Sequence, residues 1–88
     1  MKTAFTTSFE KDLRKIAQET VRAAVREAIM SVEVAQNPGD ILSLKKLKKG
    51  LGYYRLRIGD YRLGMIIEGD TVTFVRCLHR SQIYRYFP

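Results

Sequence analysis

The spacing of apolar residues changes once along this chain, at Leu42, and that change limits what it can fold into. Before it, apolar side chains recur at helical spacing; after it they alternate. Phe9, Leu13 and Ile16 predict a first helix of about two to three turns. Thr7, with Glu10 three residues on, reads as a capping box at its start. Val21, Val25, Ala28, Ile29 and Val32 form the stripe of a longer second helix, and Glu19, Arg22, Arg26, Glu27 and Glu33 fill its solvated faces. Asn37-Pro38-Gly39-Asp40 ends that helix, because proline disfavours helical geometry at the residue before it and glycine opens a turn. So short a connection makes the pair an antiparallel helix hairpin.

Past Leu42 the period is two. Tyr53–Ile58 puts Tyr54, Leu56 and Ile58 on one face and Tyr53, Arg55 and Arg57 on the other. Tyr61–Ile67 groups Tyr61, Leu63, Met65 and Ile67 opposite Arg62, Gly64 and Ile66, and Thr71–Leu78 makes a third strand. Gly59-Asp60 and Glu68-Gly69-Asp70 are tight turns, so these runs form an antiparallel meander of three or more strands. Residues 2–7 are a short β-prone run, and residues 82–87 have room for one terminal helical turn. Leu42 to Gly50 reads as a basic connector whose leucines tuck under the sheet edge. The expected class is α+β: a short N-terminal strand, the helix hairpin, then the meander, as a single domain over residues 1–88. One sheet face takes the helices, and the other carries the arginines.

Charge follows the same division. Residues 1–42 carry six cationic and six acidic side chains and sum to zero; residues 43–88 carry ten against three, the whole of the +7. A cationic half rich in tyrosine points to a polyanion, most simply a nucleic acid. The lone cysteine, Cys77, excludes an internal disulfide and a cysteine-based zinc site, and the single histidine argues against a histidine-ligated metal. No apolar run reaches the length of a membrane span, and Thr3 to Arg14 lack the apolar core of a secretion signal, so a cytoplasmic protein without membrane or cofactor is expected.

Three groups of residues carry the candidate chemistry. Arg55, Arg57 and Arg62 read either as a solvated sheet face or as an anion site; no carboxylate on the strands is placed to neutralise them, and arginine suits bidentate binding of phosphate. His79-Arg80-Ser81-Gln82-Ile83-Tyr84 is either a surface strand end with an anchoring tyrosine or part of an RNA-cleaving set. Lys45, Lys46, Lys48 and Lys49 are either a soluble linker or a salt-sensitive, sequence-blind contact to RNA backbone.

Tyr54-Arg55-Leu56-Arg57-Ile58, Asp60-Tyr61-Arg62-Leu63 and His79-Arg80-Ser81-Gln82-Ile83-Tyr84, in this order, resemble the RelE/ParE superfamily of bacterial toxins. Phe5-Thr6-Thr7-Ser8-Phe9-Glu10-Lys11-Asp12-Leu13 resembles that family's first strand and helix start, so nearly the whole chain is covered. The RelE-like branch implies a ribosome-dependent endoribonuclease that cuts messenger RNA. Its catalytic positions match Arg55, Arg57, Arg62, Arg80 and Tyr84 here, with arginines at a first pair where lysines also occur in the family. The implied reaction is attack of a 2′-hydroxyl on the adjacent phosphate, giving a cyclic phosphate and a free 5′-hydroxyl, with no metal. Arg62 and Arg80 would stabilise phosphorane charge, Arg55 and Arg57 would position the backbone, and Tyr84 would stack on a base or orient the 2′-hydroxyl. Histidine is the side chain suited by type to acid–base work at neutral pH, so His79 is a candidate acid or base. The ParE-like branch implies a gyrase inhibitor without chemistry of its own. A third reading is a non-enzymatic protein that binds operator DNA only through its antitoxin complex. Either branch implies a cognate antitoxin, acidic or amphipathic, and the RelE-like branch adds the ribosome and messenger RNA as partners.

Overall fold

A computed structural model describes residues 1–47 and 52–88. Strand β1 (Lys2–Phe5) leads into helices α1 (Thr7–Lys15) and α2 (Glu19–Val34), a 3₁₀ turn at Pro38–Asp40, and strand β2 (Leu44–Lys46). Strands β3 (Tyr53–Ile58), β4 (Tyr61–Glu68) and β5 (Thr71–His79) follow, and α3 (Ile83–Tyr86) closes the chain. The five strands form one sheet in the order β1-β5-β4-β3-β2. The meander is antiparallel as expected, but β1 runs parallel to β5, so the sheet is mixed.

One face of this sheet is the core. Leu56, Leu63, Met65, Ile67, Val72, Phe74 and Cys77 cluster with Phe9, Ile16, Val25 and Val32 of the helical segment. Each fully buried aliphatic or aromatic side chain of this kind contributes about 1.5–3 kcal/mol. The stripe of α2 is the one its spacing gives: Val25 and Val32 are buried, while Val21, Ala28 and Ile29 pack against the cluster from its edge. The two tight turns use Gly59 and Gly69 at φ of 54° and 60°, where a side chain would strain the backbone. Among the described residues no helix is long and apolar enough to cross a membrane.

Two local expectations give way. The cap of α1 is Thr6, one residue earlier than the capping box at Thr7 and Glu10: the Thr6 hydroxyl accepts from the Phe9 N–H at 3.1 Å while donating to the Val75 carbonyl at 2.8 Å. That second bond to β5 decides between two adjacent threonines, and it puts Phe9 rather than Glu10 at the third helical position. The basic connector is partly a strand: Leu44, Lys45 and Lys46 pair with Leu56, Arg55 and Tyr54 of β3. Of its leucines, Leu44 packs against the core, but Leu42 is 88% exposed. Lys48 and Lys49 lie outside the described residues.

Beyond Phe5 the edge of β5 has no strand beside it, and α1 completes it with a side chain. Asp12, only 6% exposed, accepts from the Cys77 backbone N–H at 3.1 Å and from Arg76 through both carboxylate oxygens, at 2.7 and 3.1 Å. Such a fork is the strong form of ion pair. Burial, with a smaller push from Asp12, drives the Cys77 thiol up from 9.0 to about 12. Below pH 9 the thiol is protonated in both folded and unfolded chains. Between pH 9 and 12 only the unfolded chain ionises, so stability falls by about 1.4 kcal/mol per pH unit from this group. Cys77→Ala removes that component, and its urea-unfolding curve is expected to lose less stability than the parent's over this window. At pH 8 the folded protein is expected to resist thiol alkylation and to react fully in denaturant; rapid stoichiometric labelling of the folded chain would contradict this burial.

Candidate active site

Cross-strand register sorts the basic residues. Lys45, Arg55, Gly64 and Arg76 form one row across β2, β3, β4 and β5, and Arg57 and Arg62 face each other in the next. Both rows lie on the face opposite the core, because their neighbours along each strand, Leu56 and Leu63, are core. Lys46 pairs with Tyr54 and so belongs by alternation to the opposite face.

Arg55, Arg62, His79, Arg80, Ser81 and Tyr84 line one open depression of about 460 Å³. The Arg55 Nε donates to the Tyr84 hydroxyl at 3.1 Å. One Arg62 nitrogen donates to the carbonyls of Gly59 and Tyr61, at 2.8 and 3.0 Å, which fixes the guanidinium over the β3–β4 turn. The Arg80 N–H donates to the Asp60 carbonyl at 2.7 Å, tying the end of β5 to that same turn. Its guanidinium lies 3.7 Å from the Asp60 carboxylate, an exposed and weak pair. Among the described residues Arg55, Arg57 and Arg62 have no carboxylate partner. Partial burial, followed by repulsion from Arg55 and Arg57, holds the Arg62 pKa below the usual arginine range; Tyr84 acts weakly the other way. The depression thus gathers three guanidinium groups against one weakly paired carboxylate, Asp60. A phosphate diester, whose two non-bridging oxygens share one negative charge and accept several N–H donors, suits it chemically.

Of the expected members, Arg57 stands apart and His79 also borders the opposite side of the sheet. Arg57 is exposed and faces Arg62, but it borders a different cavity, of about 480 Å³, with Ala28, Ser31 and Leu42. His79 sits at the rim. By register it shares Tyr61's face, with its ring edge-on to Tyr61 at 5.7 Å. Its Nδ1 accepts from the Ser81 backbone N–H at 3.1 Å, which leaves the proton of the neutral ring on Nε2. Ser81, whose hydroxyl lies 2.9 Å from the same nitrogen, had no role in the sequence reading, although its place two residues after a histidine is the pattern of such a contact.

A family model described as the ParE toxin of the type II toxin–antitoxin system, parDE, matches residues 4–84. The chain is 39% identical to Toxin RelE3 of Methanocaldococcus jannaschii over the full length of both. It belongs to the RelE/ParE superfamily of type II toxins. The toxin chain of the RelB-RelE antitoxin-toxin complex from Methanococcus jannaschii superposes with a TM-score of 0.81 at 36% identity, covering 97% of this chain and 99% of that one. The RelBE2 toxin-antitoxin complex from Mycobacterium tuberculosis gives 0.72 at 30% identity, over 90% and 96%. The toxin described here therefore has the RelE-like α+β fold that its motif order implied.

Sequence reasoning also placed Arg76 simply among the cationic residues of the toxin's second half. Its charge is spent on Asp12, and its guanidinium lies 5.4 Å from the centre of the Tyr86 ring. Asp12 holds the Arg76 pKa above the usual range. Arg76 thus joins α1, β5 and α3, and it does not face the depression.

Proposed function

We propose that this toxin is a ribosome-dependent endoribonuclease that cleaves messenger RNA by 2′-hydroxyl transesterification and so inhibits translation. The observation that carries the reading is the depression in which Arg55, Arg62, Arg80 and Tyr84 converge, with one weak, exposed carboxylate partner among them, Asp60 beside Arg80. Arg62 and Arg80 bind the scissile phosphate and stabilise the charge that grows on it during attack. Arg55, bonded to Tyr84, orients that ring and its hydroxyl toward the ribose or base. Arg57, next to Arg62, holds the flanking backbone. Arginine keeps its proton at neutral pH, so these residues act by charge and position rather than by proton transfer. His79, as the imidazolium, is the candidate for protonating the leaving 5′-oxygen, and water takes the proton of the attacking 2′-hydroxyl.

The partners that follow are the ribosome with its message and a cognate antitoxin, since both related solved structures are toxin–antitoxin complexes. Operator DNA is bound only through the antitoxin complex, and the toxin acts in the cytoplasm, where its message is. Lys45 lies in register with Arg55 and extends the cationic face toward ribosomal RNA, while Lys46, Lys48 and Lys49 supply further backbone contacts. Lys45→Ala is expected to weaken ribosome binding regardless of sequence and to reduce the salt slope of log K by about one. An unchanged slope would remove Lys45 from the contact.

The family model's ParE description favours a second reading, inhibition of DNA gyrase without chemistry. Purified toxin separates the two. Cleavage of a message only when ribosomes are present supports the nuclease; inhibited supercoiling by gyrase, with the message intact, supports the alternative.

A further inference from the structure

The C-terminal turn meets the sheet in one unusually close contact, between Phe87 and Gly64. Phe87 and Ile83 are both buried, at the two ends of α3, and between them Tyr84 is 57% exposed. The Phe87 ring rests on Gly64, in the middle of the Lys45–Arg55–Gly64–Arg76 row: a Cβ at position 64 would lie 2.5 Å from one ring carbon and 2.6 Å from another. That is an overlap with the rigid, inner part of a side chain, so the ring would have to move. Gly64 does not have a positive φ, so the glycine is required there by the approach of the ring and not by the backbone. Tyr53 closes the seat from the side, its ring edge-on to Phe87 at 5.7 Å. Gly64 is also the direct neighbour of Arg55 across β3 and β4. The height at which Phe87 seats therefore sets the distance between α3 and the sheet next to the Arg55–Tyr84 hydrogen bond.

We propose that Phe87 and Gly64 form a positioning lock, in which the ring seated on the glycine places the Tyr84 hydroxyl on Arg55 and completes the site. The proposal rests on the nuclease reading for its effect on rate, but the geometry it asserts is independent of it. Neither residue touches the reacting atoms; both act through Tyr84. A displacement of about 1 Å at a reacting group costs about 100-fold in rate, so Gly64→Ala is expected to slow message cleavage on ribosomes by about that factor. Phe87→Leu, which leaves the seat without clash, is expected to slow it in the same direction. Combining Phe87→Leu with Gly64→Ala makes room for the added methyl and is expected to recover part of the loss.

Two readouts separate positioning from general destabilisation. In a Tyr84→Phe background the Gly64→Ala change is expected to alter the rate by less than about twofold, because the hydroxyl being placed is already gone. Protein labelled with 3-fluorotyrosine reports the geometry directly: the Tyr84 ¹⁹F resonance, assigned by its loss in Tyr84→Phe, is expected to shift in Gly64→Ala and in Phe87→Leu. The lock is overturned if that resonance stays in place in both variants, or if the rate losses multiply in the Tyr84→Phe background. If Tyr84→Phe itself cleaves at the parent rate, the nuclease role of Tyr84 fails, and the ¹⁹F shift still decides the lock.

Discussion

Arg62→Ala is expected to slow ribosome-dependent cleavage by about 10²–10³-fold and to abolish growth arrest while the protein stays folded. The size follows from where the guanidinium sits. It lines the depression with Arg55, is anchored to the Gly59 and Tyr61 carbonyls and lies opposite Arg57. A donor held there need not reorganise when charge develops on a phosphate. Loss of the anchoring bonds costs about 1 kcal/mol, offset in part by relief of the partial burial and of the repulsion from Arg55 and Arg57 that together lower the Arg62 pKa. Tyr84→Phe is expected to abolish toxicity as well, since only the hydroxyl bonded to Arg55 disappears from an exposed ring. Circular dichroism and antitoxin binding should match the parent for both. Full toxicity in the two variants would overturn the assignment of the site.

Asp12→Ala is expected to have the largest effect on stability. It strips a buried carboxylate from Arg76 and leaves the Cys77 N–H without its partner at an uncovered strand edge. Removing one member of a buried, hydrogen-bonded pair costs about 3–5 kcal/mol. For a domain of this size each kcal/mol moves Tm by about 4–8 °C, so a fall of at least about 12 °C is expected in a thermal melt. Asp12→Asn, which can still accept from the Cys77 N–H, should fall less. A melt within a few degrees of the parent for Asp12→Ala would show that Arg76 and the edge N–H find other partners. Because α1, β5 and α3 meet at this pair, the loss should reach the C-terminal turn that carries Tyr84.

Local periodicity made most of the fold legible. The bounds of β3, the stripe of α2 and the outward turn of Arg55, Arg57 and Arg62 follow from spacing alone, because each depends only on neighbours in sequence. What escaped depends on distant partners. The parallel pairing of Lys2–Phe5 with Thr71–Phe74 joins opposite ends of the chain and leaves no local mark. Strand β2 has three residues, two of them lysines, so nothing in its sequence separates it from a solvated linker. Thr6 and Thr7 are equally good caps until the Val75 carbonyl chooses one. Asp12 reads as an ordinary first-helix acid, and its burial is set by an edge of β5 that β1 is too short to cover. In the site, strand alternation and motif order gathered Arg55, Arg62, Arg80 and Tyr84, but they could not tell that Arg57 borders another cavity or that His79 shares Tyr61's face. Alternation places Gly64 on the face of Arg62 and Ile66 without saying why it is glycine; the seated Phe87 ring gives it a reason.

The most direct test of the proposed activity is to induce the toxin in cells and map 5′ ends across translated messages. Cleavage on the ribosome requires new 5′-hydroxyl ends within coding regions, in phase with codons, appearing with the parent and absent with Arg62→Ala. Intact messages accompanied by double-strand DNA breaks would contradict it.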